Sequence, residues 1–155
     1  AKLLATLELT QRGTPYIYQG QELGRVNARF ASIEQLRDVE SINRYAELLD
    51  QGLTPRRAFA QILAGTRDHS RVPMPWDAGP HGGFTTGTPW IEGDDRHETI
   101  NVAAALADPD SVLAHYRALI ALRRAHPALV YGDFEVLRRD VPSHWRYVRH
   151  RGRRG

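Results

Sequence analysis

Leu3, Leu4 and Leu7 repeat at helical spacing, Leu9 follows, and Gly13 stands where a helix would end. Next comes a short apolar run, Pro15-Tyr16-Ile17-Tyr18, and then the polar stretch Gln19-Gly20-Gln21-Glu22. Helix, glycine, short strand and polar loop are the parts of an α/β unit. The run does not alternate, so it reads as a strand buried on both faces of a parallel sheet. Such a strand needs parallel neighbours on both sides. Residues 30–130 supply none, because they read mostly as helices and loops.

In that stretch Ser32 opens a capping box with Gln35. Leu36, Val39, Ile42, Tyr45, Leu48 and Leu49 then give one or two helices, which Gly52 ends. Thr54-Pro55 is an N-cap and first-turn pair, and Phe59, Ile62 and Leu63 make the apolar face behind it. Residues 72–99 are rich in Gly, Pro, Thr, Asp and Trp. A loop of that length in a compact domain is usually a binding surface. Asp108-Pro109 starts the clearest helix, with Val112, Leu113, Tyr116, Leu119, Ile120 and Arg123 in period, and Pro127 stops it. From Leu129 to Phe134 the residues turn β-forming, as though a β domain were starting. A chain that opens inside a helix, holds one strand without neighbours and ends as a new domain begins reads as a piece of a larger α/β protein. The alternative is a small α+β domain with an unusual strand.

The 155 residues are enough for one domain with a core. There is no cysteine, which excludes a disulfide scaffold and a thiol nucleophile and fits a cytoplasmic protein. No apolar run is long enough to span a membrane, and no signal-peptide pattern stands at the start. The net charge of +3 is unevenly spread. Residues 138–155 hold seven arginines (138, 139, 146, 149, 151, 153 and 154) against Asp140, so residues 1–137 are net negative. The folded body therefore offers no nucleic-acid patch. The basic tail reads as a plain end of the chain or as a small polyanion-binding arm.

Several residues are candidates for chemistry. Glu22 follows the C-terminal end of the expected strand, where α/β barrels carry their active sites, or else it is a loop carboxylate bonding to nearby backbone. Arg67-Asp68-His69-Ser70-Arg71 offers two guanidinium forks beside a carboxylate, suited to paired hydroxyls; the alternative is a surface ion-pair cluster. Trp76, Phe84 and Trp90 suit the faces of sugar rings, or form a small core within the loop. The seven histidines (69, 81, 97, 115, 126, 144 and 150) include no H-E-x-x-H pair, and no metal site is expected. Phosphate-loop, dinucleotide and serine-hydrolase motifs are absent.

The segment from Gly13 to Glu22 resembles the last barrel strand of α-amylase-type glycoside hydrolases, family 13. Phe30-Ala31-Ser32-Ile33-Glu34, Arg37-Asp38-Val39-Glu40, Ser70 to Asp77, Gly83 to Gly87, Pro89-Trp90-Ile91 and Ile100-Asn101-Val102 extend the likeness to the oligo-1,6-glucosidase and α-glucosidase branch. Asp108 to Val112 and Leu129 to Asp133 fit as well. The departures are Pro75, where the family usually has Gln, and Val72, where it usually has Thr. Beyond about Val148 the likeness is lost.

The resemblance implies the C-terminal portion of a (β/α)8 TIM barrel over residues 1–128: its last strand, the following helices and the long loop. Residues 129–155 would be the truncated beginning of a C-terminal β domain, and the whole segment would be mostly helical. Retaining hydrolysis needs two carboxyl groups about 5–5.5 Å apart. In the family these are an Asp in an Arg-x-Asp context and a Glu, with a further Asp in a His-Asp pair, all on strands before the one at Gly13. Here Asp68-His69 is the reverse of His-Asp, and Arg138-Arg139-Asp140 lies beyond the barrel. No catalytic residue carries over, and this chain by itself is expected to be inactive. What carries over is one side of a sugar pocket. Arg71, with Arg67 beside it, would grip hydroxyls of a terminal glucose, and Glu22 would shape a loop near the pocket. The implied partner is an oligosaccharide, with no cofactor, nucleic acid or membrane. The implied activity is hydrolysis of α-1,6 or α-1,4 glucosidic bonds at non-reducing ends. The alternatives are a sucrose isomerase forming trehalulose or isomaltulose, a transglucosidase, or a carbohydrate-binding remnant without catalysis.

Overall fold

A computed structural model describes residues 1–138 and 145–152. In chain order it holds α1 (Lys2–Thr10), α2 (Val39–Asp50), α3 (Pro55–Leu63), α4 (Val102–Ala107), α5 (Val112–Ala125), α6 (Pro127–Tyr131), β1 (Asp133–Arg138) and β2 (Arg146–His150). The chain forms two compact units: residues 1–24 with 108–155, and residues 25–107. No helix among the described residues is long and apolar enough to cross a membrane.

The first unit is built on α1 and α5. Ala5 and Leu9 pack against Tyr116 and Leu119, with Val112 and Ile120 at the margin. The spacing of Leu3, Leu4 and Leu7 identifies the helix but not its covered face, since Leu3 and Leu4 are exposed. The cap of α5 is Ser111, whose Oγ accepts the Ala114 N–H at 3.1 Å, so the helix begins at Val112, four residues after Asp108. A serine hydroxyl fits the open N–H groups of a first turn, and that local bond decides the boundary.

Two arginines close the C-terminal end of α1. Arg123 is buried and donates to the carbonyls of Leu9 at 2.8 Å, Gln11 at 3.2 Å and Gly13 at 2.5 Å. Arg149 donates to Thr10 O at 2.9 Å and also to the carbonyls of Leu129, Gly132 and Asp133. Cations at a helix C-terminus satisfy its open carbonyls and complement its dipole.

Residues 129–131 belong to α6 rather than to a strand, because Pro127 supplies a ready first helical position. The expected β structure starts at Asp133, four residues later. β1 and β2 pair antiparallel, Phe134 opposite Arg149 and Val136 opposite Tyr147, with an irregularity between Val136 and Arg138. Phe134 stacks on Tyr147 at 5.0 Å between ring centres. Arg139, Asp140, Arg153 and Arg154 of the basic tail and of the Arg-x-Asp triplet lie outside the described residues.

The expected strand at residues 15–18 makes no ladder among the described residues. A parallel strand is held only by its neighbours, and the described residues bring none to it.

The second unit has its own core of Phe30, Leu36, Leu48, Ala58, Ile62, Val72 and Ile91, with α2 packed on α3. Gln35 Oε1 accepts the Ala31 N–H at 2.6 Å, but Ser32 makes no cap bond, and residues 33–35 form only a 3-10 turn. The capping pair therefore shapes a turn, and a single helix, α2, starts at Val39. It ends as its sequence dictates. Gly52, at φ +85°, donates to Leu49 O at 2.9 Å and Leu53 donates to Leu48 O at 3.0 Å, the paired closure that a left-handed glycine allows. Thr54-Pro55 opens α3 as expected. Residues 64–101 are irregular, with short 3-10 turns at 67–70, 80–83 and 95–98.

Candidate functional site

The loop after α3 brings two carboxylates and two guanidinium groups together. Thr66 caps the turn that carries Arg67 and Asp68, and Asp38 stands just before α2. Asp68 is fully buried. Its Oδ2 accepts the N–H of Arg37 at 2.6 Å and of Asp38 at 2.9 Å, so it ties this turn to the start of α2. Its Oδ1 meets Arg71 Nη1 at 3.1 Å. Asp38 is also buried, and its Oδ2 lies 2.9 Å from Ser41 Oγ, which is 2.9 Å from Thr66 Oγ1.

The two arginines are used differently. Arg67 closes a fork on Asp38 Oδ1, through Nε at 3.0 Å and Nη2 at 2.5 Å, and Nη2 also reaches Glu40 at 3.1 Å. Arg71 is anchored through Nη1 alone, to Asp68 at 3.1 Å and Asp38 at 3.4 Å. Its Nε and Nη2 meet no partner among the described residues, and its side chain is 35 % exposed. A guanidinium fixed on one edge by buried carboxylates, with its other edge open, can donate two directed hydrogen bonds to an incoming group.

Electrostatics support the anchoring. Asp38 is held down at about 2, chiefly by the hydrogen bond from Arg67; burial opposes this, while Ser41 and the charges of Arg67 and Arg71 reinforce it. The same bond raises Arg67. Because Asp38 titrates below its ordinary 3.8, its contribution to stability is present above about pH 4 and lost as the pH falls toward about 2. Unfolding midpoints measured across that window are expected to drop steeply with acid, and Asp38→Asn is expected to flatten the drop. An unchanged slope in the variant would refute the assignment.

Asp94, also held at about 2, falls in the same window. Burial raises it, but bonds from Arg96 and from the N–H groups of Arg29 and Arg96 outweigh that. Asp94 and Arg96 neutralise one another beside a cleft of about 100 Å³ that Arg25, Pro73, Pro75, His81 and His97 help to line. No group of three or more potential metal ligands occurs among the described residues.

The structure thus joins Arg67 and Arg71, as the sequence pattern suggests. Glu22 lies in the other unit, where its Oε2 accepts the Gly20 N–H at 2.8 Å, as a loop-shaping carboxylate would. Trp76, Phe84 and Trp90 are each more than half exposed and do not form a core within their loop. The sequence pattern set the Asp68 carboxylate beside the arginines, as found, but missed Asp38 as the second anchor. Asp38 stood within the Arg37 to Glu40 motif, but nothing in the spacing tied it to a turn 30 residues later.

The catalytic-domain model of the α-amylase family matches residues 1–132. The oligo-1,6-glucosidase of Halalkalibacterium halodurans is 48% identical over 149 residues, which is 96% of this chain and 27% of that protein. The trehalose-6-phosphate hydrolase of Bacillus subtilis is 45% identical over 150 residues, 97% of this chain and 27% of that one. Among solved structures, the trehalose-6-phosphate hydrolase of Bacillus licheniformis superposes with a TM-score of 0.92 at 40% identity, over 97% of this chain and 27% of the other. The isomaltulose synthase of a Klebsiella species does so at 0.90 and 36%, over the same shares. The chain spans about a quarter of the length of these relatives.

Proposed function

Because the chain belongs to the α-amylase family of glycoside hydrolases, whose (β/α)8 barrel it represents in part, we propose that it forms the C-terminal part of a retaining, exo-acting α-glucosidase. The enzyme hydrolyses α-1,6 or α-1,4 bonds at the non-reducing ends of oligosaccharides. The observation that carries this reading is the open edge of Arg71, anchored on Asp68 and Asp38.

Adjacent hydroxyls of a terminal glucose are spaced to accept from Nε–H and Nη2–H together. Binding there fixes the sugar at its non-reducing end, so the glycosidic bond projects toward the catalytic carboxylates on the preceding strands. Fixing the reacting ring lets binding energy act on the chemical step. Arg67 serves the site by filling Asp38, which keeps that carboxylate ionised for Arg71. Glu22 shapes the loop after the last strand. The nucleophile attacks the anomeric carbon while the general acid protonates the leaving oxygen, and water then resolves the glucosyl–enzyme ester.

We place the end of the barrel portion near residue 128, with 129–155 beginning a β domain; the hairpin of β1 and β2 supports this. A cysteine-free chain suits work in the cytoplasm. A second reading, a sucrose isomerase, is favoured by the likeness to isomaltulose synthases at 36 and 41% identity. The higher identity to an oligo-1,6-glucosidase, 48%, favours hydrolysis.

The test is the DNA beside the coding segment. Codons for strand ends carrying Arg-x-Asp, Glu and His-Asp are expected upstream. Their absence from the surrounding sequence would overturn the proposal.

A further inference from the structure

Behind the two arginines runs a buried row of hydroxyl groups that the grip on the sugar does not itself use. Ser41, the third residue of α2, places Oγ 2.9 Å from Asp38 Oδ2 and 2.9 Å from Thr66 Oγ1. Thr66 Oγ1 in turn accepts the Asp68 N–H at 3.4 Å. Ser41 and Thr66 are both buried. A buried hydroxyl costs free energy unless its hydrogen bonds are made. Alanine and valine would fill these places without that cost, so packing alone does not call for hydroxyls here.

The direction of the row is fixed. Asp38 is ionised, with Arg67 forked on its Oδ1, and an ionised carboxylate only accepts. Ser41 has one hydroxyl proton and gives it to Asp38 Oδ2. Its oxygen is then free to take the proton of Thr66, which accepts from the Asp68 backbone. Each hydroxyl donates once and accepts once, and bonds in such a row polarise one another.

The end of the row decides how Asp38 is turned. Its Oδ1 takes Arg67 through Nε and Nη2 and lies 3.4 Å from Arg71 Nη1, while Oδ2 takes Ser41. Without Ser41, Oδ2 is a bare acceptor beside two guanidinium groups, and rotation about Cβ–Cγ brings it toward them. A carboxylate with both oxygens available draws a guanidinium into a bidentate pair. An Arg71 turned to make that pair spends the edge formed by Nε and Nη2.

We propose that Ser41 and Thr66 are positioning residues for the terminal-glucose site: their hydroxyls hold Asp38 with Oδ1 toward both arginines and so keep the outer edge of Arg71 free for substrate. The inference rests on the function proposed above. Every group of the relay has its partner within the second unit.

The test uses the enzyme made by joining this chain to the rest of the Halalkalibacterium halodurans oligo-1,6-glucosidase, with kcat/KM measured on p-nitrophenyl α-glucoside. Ser41→Ala is expected to lower it about tenfold, as loss of one hydrogen bond to a charged group does. Ser41→Thr keeps the hydroxyl and is expected to return most of that loss. The deciding comparison is a double-mutant cycle with Arg71→Lys. Once the fork is gone there is no edge to hold open, so Ser41→Ala is expected to cost less than about twofold in that background. Thr66→Val against Thr66→Ser repeats the comparison from the far end of the relay, with an expected loss of about threefold. It decides the matter should Ser41→Ala not fold. An equal loss in both Arg71 backgrounds makes Ser41 a packing residue and overturns the inference. So does a Ser41→Ala enzyme within about twofold of its parent while Arg71→Lys is impaired. Both outcomes leave the proposed function standing. A folded parent that does not turn over, or one indifferent to Arg71→Lys, removes the function and the inference with it.

Discussion

Arg71→Lys, in an enzyme formed by joining this chain to the rest of the Halalkalibacterium relative, is expected to lower kcat/KM roughly 100-fold, or about 2.7 kcal/mol of transition-state stabilisation. Lysine keeps the charge but loses the planar fork. It cannot hold Asp68 and Asp38 with one edge and present two donors with the other. Arg67→Lys is the informative contrast. Arg67 spends Nε and Nη2 on Asp38, so its replacement acts only through the position of that carboxylate. Its expected loss is about tenfold or less. Equal losses in the two variants, measured on the same glucoside, would mean that Arg71 has no special contact with substrate.

The second large effect is on stability. Asp68→Ala removes the acceptor of two backbone N–H groups and the closer of the two carboxylate contacts of Arg71. Leaving a buried donor without its acceptor costs about 1–3 kcal/mol per group, and here the N–H groups of Arg37 and Asp38 both lose theirs. Asp68 is completely buried, so water does not replace it. Urea unfolding followed by circular dichroism is expected to show that loss, with Asp68→Asn losing less because its amide oxygen still accepts. A variant within about 0.5 kcal/mol of the parent would place Asp68 among ordinary surface substitutions.

The parts of the fold legible in the sequence are those set by local chemistry. Gly52 ends α2 and Thr54-Pro55 opens α3, each through bonds to residues a few positions away. Tertiary contacts decided the rest. The leucine spacing at residues 3–7 gives the helix, but Ala5 and Leu9 are the ones covered, because α5 lies on that side. Leu129, Val130 and Tyr131 have β-forming side chains, yet Pro127 starts a helix under them. The run at 15–18 has the composition of a buried strand and no ladder, since pairing is a property of two segments.

The site was half legible. Two arginines four residues apart were visible as a pair, and the family resemblance singled out Arg71. Which of the two is saturated was not visible. That depends on Asp38 and Glu40, brought to Arg67 from 29 and 27 residues away.

The most direct measurement is turnover of p-nitrophenyl α-glucoside by the covalently joined enzyme, alongside this chain alone. The expected result is hydrolysis with retention by the joined enzyme and none by the 155-residue chain. A joined enzyme that is folded and inert, or activity that stays with the isolated chain and vanishes in Arg71→Ala, would contradict the assignment of this segment as the sugar-gripping end of an α-glucosidase.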